Sequence, residues 1–214
     1  VYIVFFIFGV GVLAPLTALY AKFQGQGQFK EAGRLLKHSH VLTLLIAVIT
    51  SALLYLVYFN LDLFGQTQEI NQTAQEFFEV MIWTVFPALF YQSYKQFADG
   101  IGRTHAGMYT MIFGVLLNVG LNYLLIFGKH GFPELGIMGA AYATLIARWV
   151  MAILMALYVH LSPHFRAYLK EGFKMPYAGL ILKDISRLGV PNGFTLLFEV
   201  SAFASCSILM GWFG

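Results

Sequence analysis

The sequence predicts an all-α membrane protein, a polytopic bundle of transmembrane helices. Three observations predict it. The chain is 59% hydrophobic and only 11% charged, against about 25% charged residues in a soluble domain. Its apolar residues fall into six runs, each near the ~20 residues a helix needs to cross a bilayer core of about 30 Å. The runs are continuously apolar rather than alternating, which argues for helices over barrel strands.

Run one covers residues 1–20 and ends where Lys22 brings charge. Run two covers 41–59 and follows a basic stretch holding Lys30, Arg34 and Lys37. Run three covers 77–97, with Glu79 and Lys95 near its ends. It stops at Asp99-Gly100, glycine being the expected helix stop. Run four, 107–127, has no charge, and run five, 135–160, holds Arg148. Run six, 191–213, opens on Pro191, a residue suited to the first turn of a helix. Between residues 193 and 213 its only charge is Glu199.

With Lys95 at the end of run three, eleven of the thirteen lysines and arginines lie at or in the links after runs one, three and five. The opposite links carry Asp62 with Glu69, and Lys129 with Glu134. In an up-down weave this gathers the basic residues on one side. The positive-inside rule assigns that side to the cytoplasm. The expected location is therefore a plasma membrane, the inner membrane of a bacterium, with the lipid bilayer as the main partner. The formal charge of +3 does not indicate nucleic acid, because the placement of the charges matters more than their sum. The lone Cys206 excludes an intrachain disulfide and any CxxC metal pattern.

The link at 161–190 is the one candidate boundary. Phe165, Leu169 and Phe173 share a helical face, and beyond Pro176 so do Ile181, Ile185 and Leu188. This pattern reads as one or two short interfacial helices. The expected organisation is a five-helix bundle over 1–160, a linker with an interfacial helix over 161–190, and the first helix of a second bundle over 191–214. The chain opens without an initiator Met on one apolar run and closes on another, so it reads as an internal fragment.

Two stripes cross the runs. Gly114, Asn118 and Asn122 recur at spacing four in run four. Gly136, Ala140, Thr144 and Arg148 do so in run five, with Gly139 and Ala143 alongside. As packing surfaces, the small residues let helix backbones approach, and each amide bonded to a neighbouring helix contributes about 0.6–2 kcal/mol. As function, Asn118, Asn122 and Arg148, with Asn192 and Thr195, line a substrate cavity. The pattern admits both readings.

Glu199 is the most informative residue. A carboxylate within a membrane helix costs roughly 2.5–3.5 kcal/mol. A bound cation, a proton or a buried basic partner must offset that. Arg148 lies ~18 Å into its run and Glu199 ~12 Å into its own, from opposite ends, at depths within about 6 Å of one another. A structural Arg148–Glu199 ion pair therefore competes with a coupling-cation site at Glu199.

No pattern here makes an enzyme or calls for a cofactor. His38 and His40 point to different sides of a helix, and Pro163 separates His160 from His164. Neither pair has a third ligand nearby, which argues against a structural metal. HExxH, P-loop and GxSxG patterns do not occur. Gly25 and Gly27 mark a loop rather than a phosphate cradle, since no strand precedes them.

Four blocks resemble the multidrug and toxic compound extrusion (MATE) transporters, in their NorM-like branch. They are APLTALYAKFQGQGQFKEAGR (14–34), PALFYQSYKQFADGIGRTHAGM (87–108), LLNVGLNYLLIFGKHGFPELGIMGAAYAT (116–144) and LGVPNGFTLLFEVSAFA (188–204). They occur in family order and are specific together. The resemblance implies helices two to seven of a two-lobed, twelve-helix antiporter.

 The full-length protein is expected to act as a monomer. The family exports cationic and amphipathic organic compounds, driven by inward flow of sodium ions or protons. In the NorM-like branch a glutamate on the seventh helix takes part in binding the coupling cation, and Glu199, in LFEVSAFA, holds the matching position. Arg148 departs from some members of that branch, which carry uncharged or aromatic residues at its position.

The expected function is thus cation-coupled export of organic compounds, with Glu199 as the sodium or proton ligand. Two alternatives belong to other classes. A lipid-linked saccharide flippase of the same superfamily would need a wider, more basic cavity, with Arg148 in its favour. A membrane assembly subunit would explain the helices and stripes, but leaves Glu199 to Arg148 alone.

Overall fold

The computed structural model describes the backbone of residues 2–60, 68–177 and 179–213, and the side chains of those residues except 68–74, 179–180 and 204–213. Asp62, Glu69 and Cys206 lie outside the described side chains. Among the described residues the regular structure is helical throughout, with no strand.

Proline placement explains where the helices break. Run one forms two helices, α1 (Tyr2–Leu13) and α2 (Leu16–Gly25). Pro15 lacks an N–H, and its ring would collide with the carbonyl of Gly11, so one helix cannot pass through unbroken. Run three, expected as one span, likewise forms α4 (Gln68–Trp83) and α5 (Val85–Gly100). Pro87 sits in the first turn of α5, where its missing N–H costs nothing, and its ring excludes a continuous turn back to Trp83. Thr84 fills the gap, buried, and donates to the Met81 carbonyl at 2.6 Å.

Between them, α3 (Phe29–Phe59) begins well before the apolar run at residue 41. The charged stretch ahead of that run is itself amphipathic. Ala32, Leu35, Leu36 and Ser39 are buried at helical spacing. Runs four and five form α6 (Thr104–Phe127) and α7 (Ile137–Leu161). α6 closes on Gly128 with φ 60°, the left-handed position that glycine adopts without a steric penalty.

The link at 161–190 holds α8 (Arg166–Gly172) and the start of α9 (Gly179–Phe213). Pro191, expected in a first turn, lies inside α9 instead, so the boundary drawn at 190 falls within a helix. The amphipathic stretch ahead of it simply continues into run six. Ile185 is buried and Ile181 packs on the core, but Leu188 is exposed. The neighbouring Gly189 is where α9 meets Val12 of α1.

Among the described residues, four stretches are long and apolar enough to cross a membrane: Tyr2–Gly25, Phe29–Phe59, Thr104–Phe127 and Ile137–Leu161. At 16 residues each, α4 and α5 fall short of a ~20-residue span and can cross only as a pair. α3 exposes Leu45, Ile49 and Leu56, and α6 exposes Ile112, Leu116 and Val119. Lipid solvates such faces without cost, provided the backbone is satisfied within each helix.

The largest fully buried side chains lie at the basic end. Tyr20, Phe97 and Phe165 are fully buried there, with centroids 5.0 Å apart for the first two rings and 5.6 Å for the last two. The Tyr20 hydroxyl donates to Ser39 at 3.0 Å, Ser39 lies 3.2 Å from Ser93, and Thr17 donates to Gln96. The three basic links converge on this end. Lys30 pairs with Glu171 at 2.9 Å, Lys37 donates to the carbonyls of Phe173 and Met175 at 3.2 and 3.1 Å, and Arg103 lies 3.2 Å from His164. Glycines set the closest approaches. A Cβ on Gly33 would collide with the Tyr168 carbonyl of α8, and one on Gly11 of α1 would stand 2.7 Å from the Gly193 Cα of α9.

Candidate cation site and intramembrane polar residues

Glu199 sits on the part of α9 that follows its contact with α1. That contact is made by Gly189 and Gly193, which lie against Val12 and Phe8. Past it, Glu199 is exposed, and the exposed rings of Phe198 and Phe203 flank it on the same helix. Glu199 makes no ion pair or hydrogen bond among the described residues. A carboxylate so placed can accept a proton or coordinate a small cation.

Arg148 does not pair with it. Its Nη1 donates to Thr84 Oγ1 at 2.7 Å and to the Tyr2 hydroxyl. Its guanidinium carbon stands 5.6 Å from the Tyr2 ring centroid and 5.1 Å from that of Phe6. The Tyr2 hydroxyl and Thr84 Oγ1 are themselves 2.8 Å apart. The competing ion-pair reading is therefore corrected. Two hydroxyls and two aromatic faces from α1 and the α4–α5 junction hold the cation, while α9 packs on the α1 side of the bundle. Neither Tyr2 nor Thr84 was a candidate from sequence. Thr84 carries a trace of a signal in its place three residues before Pro87, where the helix must break.

The two stripes face each other. Asn118 of α6 donates to Thr144 of α7 at 3.4 Å, and Asn122 donates to Asn118 at 3.0 Å. Thr144 also donates to the Ala140 carbonyl at 2.9 Å. The Oδ1 of Asn122 is buried with no partner among the described residues. Gly114 admits the Met151 side chain, and Gly139 brings its helix against the Leu125 carbonyl. The stripes thus make a helix seam with a cavity beside it. Asn118, Thr144 and Arg148 line one cavity of about 210 Å³. Arg148 also lines a second of about 440 Å³ between α1, α5, α6 and α7.

The remaining candidates stand apart from this cluster. Asn192 donates to the Gly11 carbonyl at 2.7 Å. This is the carbonyl whose helical partner would have been the N–H that Pro15 lacks, so the amide repairs a bond the proline removes. Thr195 is exposed and donates to the Pro191 carbonyl in its own helix at 3.0 Å. The structure therefore joins Asn118, Asn122, Thr144 and Arg148, and leaves Asn192, Thr195 and Glu199 on α9. The histidines go to separate partners: His160 lies 3.2 Å from the Tyr94 hydroxyl, and His164 contacts Arg103. At the basic end, the Lys30 ammonium holds the Glu171 carboxyl below the ordinary glutamate value of 4.5.

The chain as a whole is similar to known proteins. The MatE family model matches residues 1–124. The chain is 32% identical over 207 residues to the multidrug resistance protein MdtK of Pectobacterium atrosepticum, a match covering 95% of this chain and 45% of that protein. It is 33% identical over 215 residues to the probable multidrug resistance protein NorM of Rhizobium meliloti, covering 100% of this chain and 46% of that protein. The chain thus spans just under half the length of these relatives. Its fold matches that of an inward-facing multidrug resistance MATE family transporter of the MOP superfamily, with TM-score 0.79 and 23% identity over 91% of this chain and 43% of that one. It also matches the eukaryotic MATE transporter AtDTX14, with TM-score 0.81 and 20% identity over 96% of this chain and 45% of that one.

Proposed function

The chain belongs to the MatE family of multi-pass membrane proteins, and on that premise we propose that the protein carrying it is a cation-coupled antiporter. It exports cationic and amphipathic organic compounds, driven by sodium ions or protons. Residues 1–160 supply helices of a first lobe, 161–190 the link, and 191–214 the opening helix of a second lobe, with α9 running from link into lobe. The basic links face the cytoplasm.

The observation that carries this reading is Glu199, a carboxylate in an apolar helix with no partner among the described residues. Leaving it ionised and bare in a bilayer costs roughly 2.5–3.5 kcal/mol. A mobile cation or proton offsets that cost and, by binding one opening of the two lobes more tightly than the other, shifts their balance by the difference. Phe198 and Phe203 beside it offer aromatic faces to organic cations, each such contact worth about 0.5–2 kcal/mol. The names of the bacterial relatives, multidrug resistance proteins, support export of drug-like compounds.

The test uses the full-length protein in sealed vesicles loaded with a fluorescent organic cation, with sodium and pH gradients imposed in turn. Export should follow one of the two gradients. It should be lost in Glu199→Gln while membrane insertion stays normal. Export by that variant at the original rate overturns the assignment.

A further inference from the structure

Arg148 is the other charge in the middle of an apolar run, and the fold satisfies one side of it only. Nη1 has two hydrogens, and Tyr2 and Thr84 take both. Nε and Nη2, with three more hydrogens, bond to none of the described residues, and no carboxylate among those residues pairs with Arg148. This leaves the Nε–Nη2 edge, a planar fork whose spacing matches the two oxygens of a carboxylate. Arg148 lines the cavity of about 440 Å³, whose other walls are apolar side chains such as Phe6, Val10, Met111 and Met151, with the single amide of Gln92. The volume suits a small organic molecule, and an apolar pocket with a few converging polar groups is the usual form of such a site. A fixed positive charge at its wall disfavours the organic cations assigned to the Glu199 side of the protein and favours their opposites.

We propose that this cavity binds an amphipathic organic acid, its carboxylate held by the Nε–Nη2 edge of Arg148 and its apolar body packed on Phe6, Met111 and Met151. The inference rests on the export reading only for the direction in which such an acid would travel. Binding itself needs no gradient, so the two readings fail separately. A carboxylate on the edge of Arg148 could otherwise come from a side chain outside residues 1–214, or the oxyanion from a lipid headgroup. The experiment separates these sources.

The full-length protein, purified into phosphatidylcholine nanodiscs, is titrated with dansylglycine and with its neutral amide, reading dansyl fluorescence. The acid should bind roughly tenfold to a hundredfold tighter than the amide, the worth of a hydrogen bond to a charged group. Arg148→Gln should erase that preference, Arg148→Lys should keep part of it, and Glu199→Gln should leave it intact. Met151→Trp, which fills the cavity and spares the charge, should weaken acid and amide alike. Equal binding of acid and amide by the unaltered protein means the edge is already taken by a resident side chain, and overturns the proposal. A preference that survives Arg148→Gln also overturns it, as does one that vanishes when phosphatidylglycerol replaces phosphatidylcholine, since a lipid then owns the site.

Discussion

Arg148 and Glu199 are both charges in apolar helices, yet the fold treats them differently. Around Arg148 three elements converge: Tyr2 from α1, Thr84 from the α4–α5 junction, and the α7 backbone that carries it. Around Glu199 the described residues supply no donor and no cation. The difference is one of solvation. The protein supplies part of the guanidinium's shell from its own hydroxyls and rings, whereas on the proposed function the carboxylate's shell is left to a mobile cation or proton. The side of a charge that the fold solvates belongs to stability, and the side it leaves bare is open to function.

The largest stability effect should fall on the arginine side. Thr84→Val removes the hydroxyl between Arg148 and Tyr2 and leaves a buried donor short of an acceptor, a loss of about 1–3 kcal/mol. Thermal unfolding in detergent would show it as a clear drop in Tm. An unchanged Tm would mean that Arg148 is not held as described, and the contrast would dissolve. Next comes Asn192→Leu, which removes the shorter of the Gly11 carbonyl's two hydrogen bonds, at the α1–α9 contact, and leaves it the 3.3 Å bond from the Ala14 N–H. It should cost about 0.6–2 kcal/mol, read in the same melts.

Glu199→Gln should move Tm by no more than about 0.5 kcal/mol in either direction, the usual range for a substitution that breaks no packed or paired feature. A large loss would place Glu199 in the structural class with Arg148. The smallest effect lies outside the membrane, at Glu171. Its folded pKa is held below 4.5 by Lys30, so its contribution is present above the ordinary glutamate value and disappears as the pH falls through the folded one. The Tm advantage of the unaltered protein over Glu171→Gln should therefore be small at neutral pH and vanish in acid. An advantage that grows on acidification would show the sign to be wrong.

The helices themselves were legible in the residues. Continuous apolarity marked α6 and α7 closely, and the weave of basic links anticipated their meeting at one end. The breaks were harder. Pro15 and Pro87 each end a helix because their rings exclude the turn before them, but a run of apolar residues hides that break when only hydropathy is read. Pro191 misled in the opposite direction, since a proline in a helix that tertiary contacts hold need not begin it. Glu199 stood out because a lone charge in an apolar run is a local fact. The partners of Arg148 did not, because Tyr2 and Thr84 reach it from distant parts of the chain, and opposite charge alone pointed to Glu199. Asn192 shows the middle case, where Pro15 announces a carbonyl without its usual helical partner but only the fold says which amide answers it.

The most direct test of the central claim is binding of the coupling ion to the purified full-length protein. Radioactive sodium and proton uptake, measured separately at equilibrium, should show saturable binding of one ion that is missing from Glu199→Gln and retained in Thr84→Val. Undiminished binding of that ion by Glu199→Gln would contradict the account, because the carboxylate would then need no mobile partner.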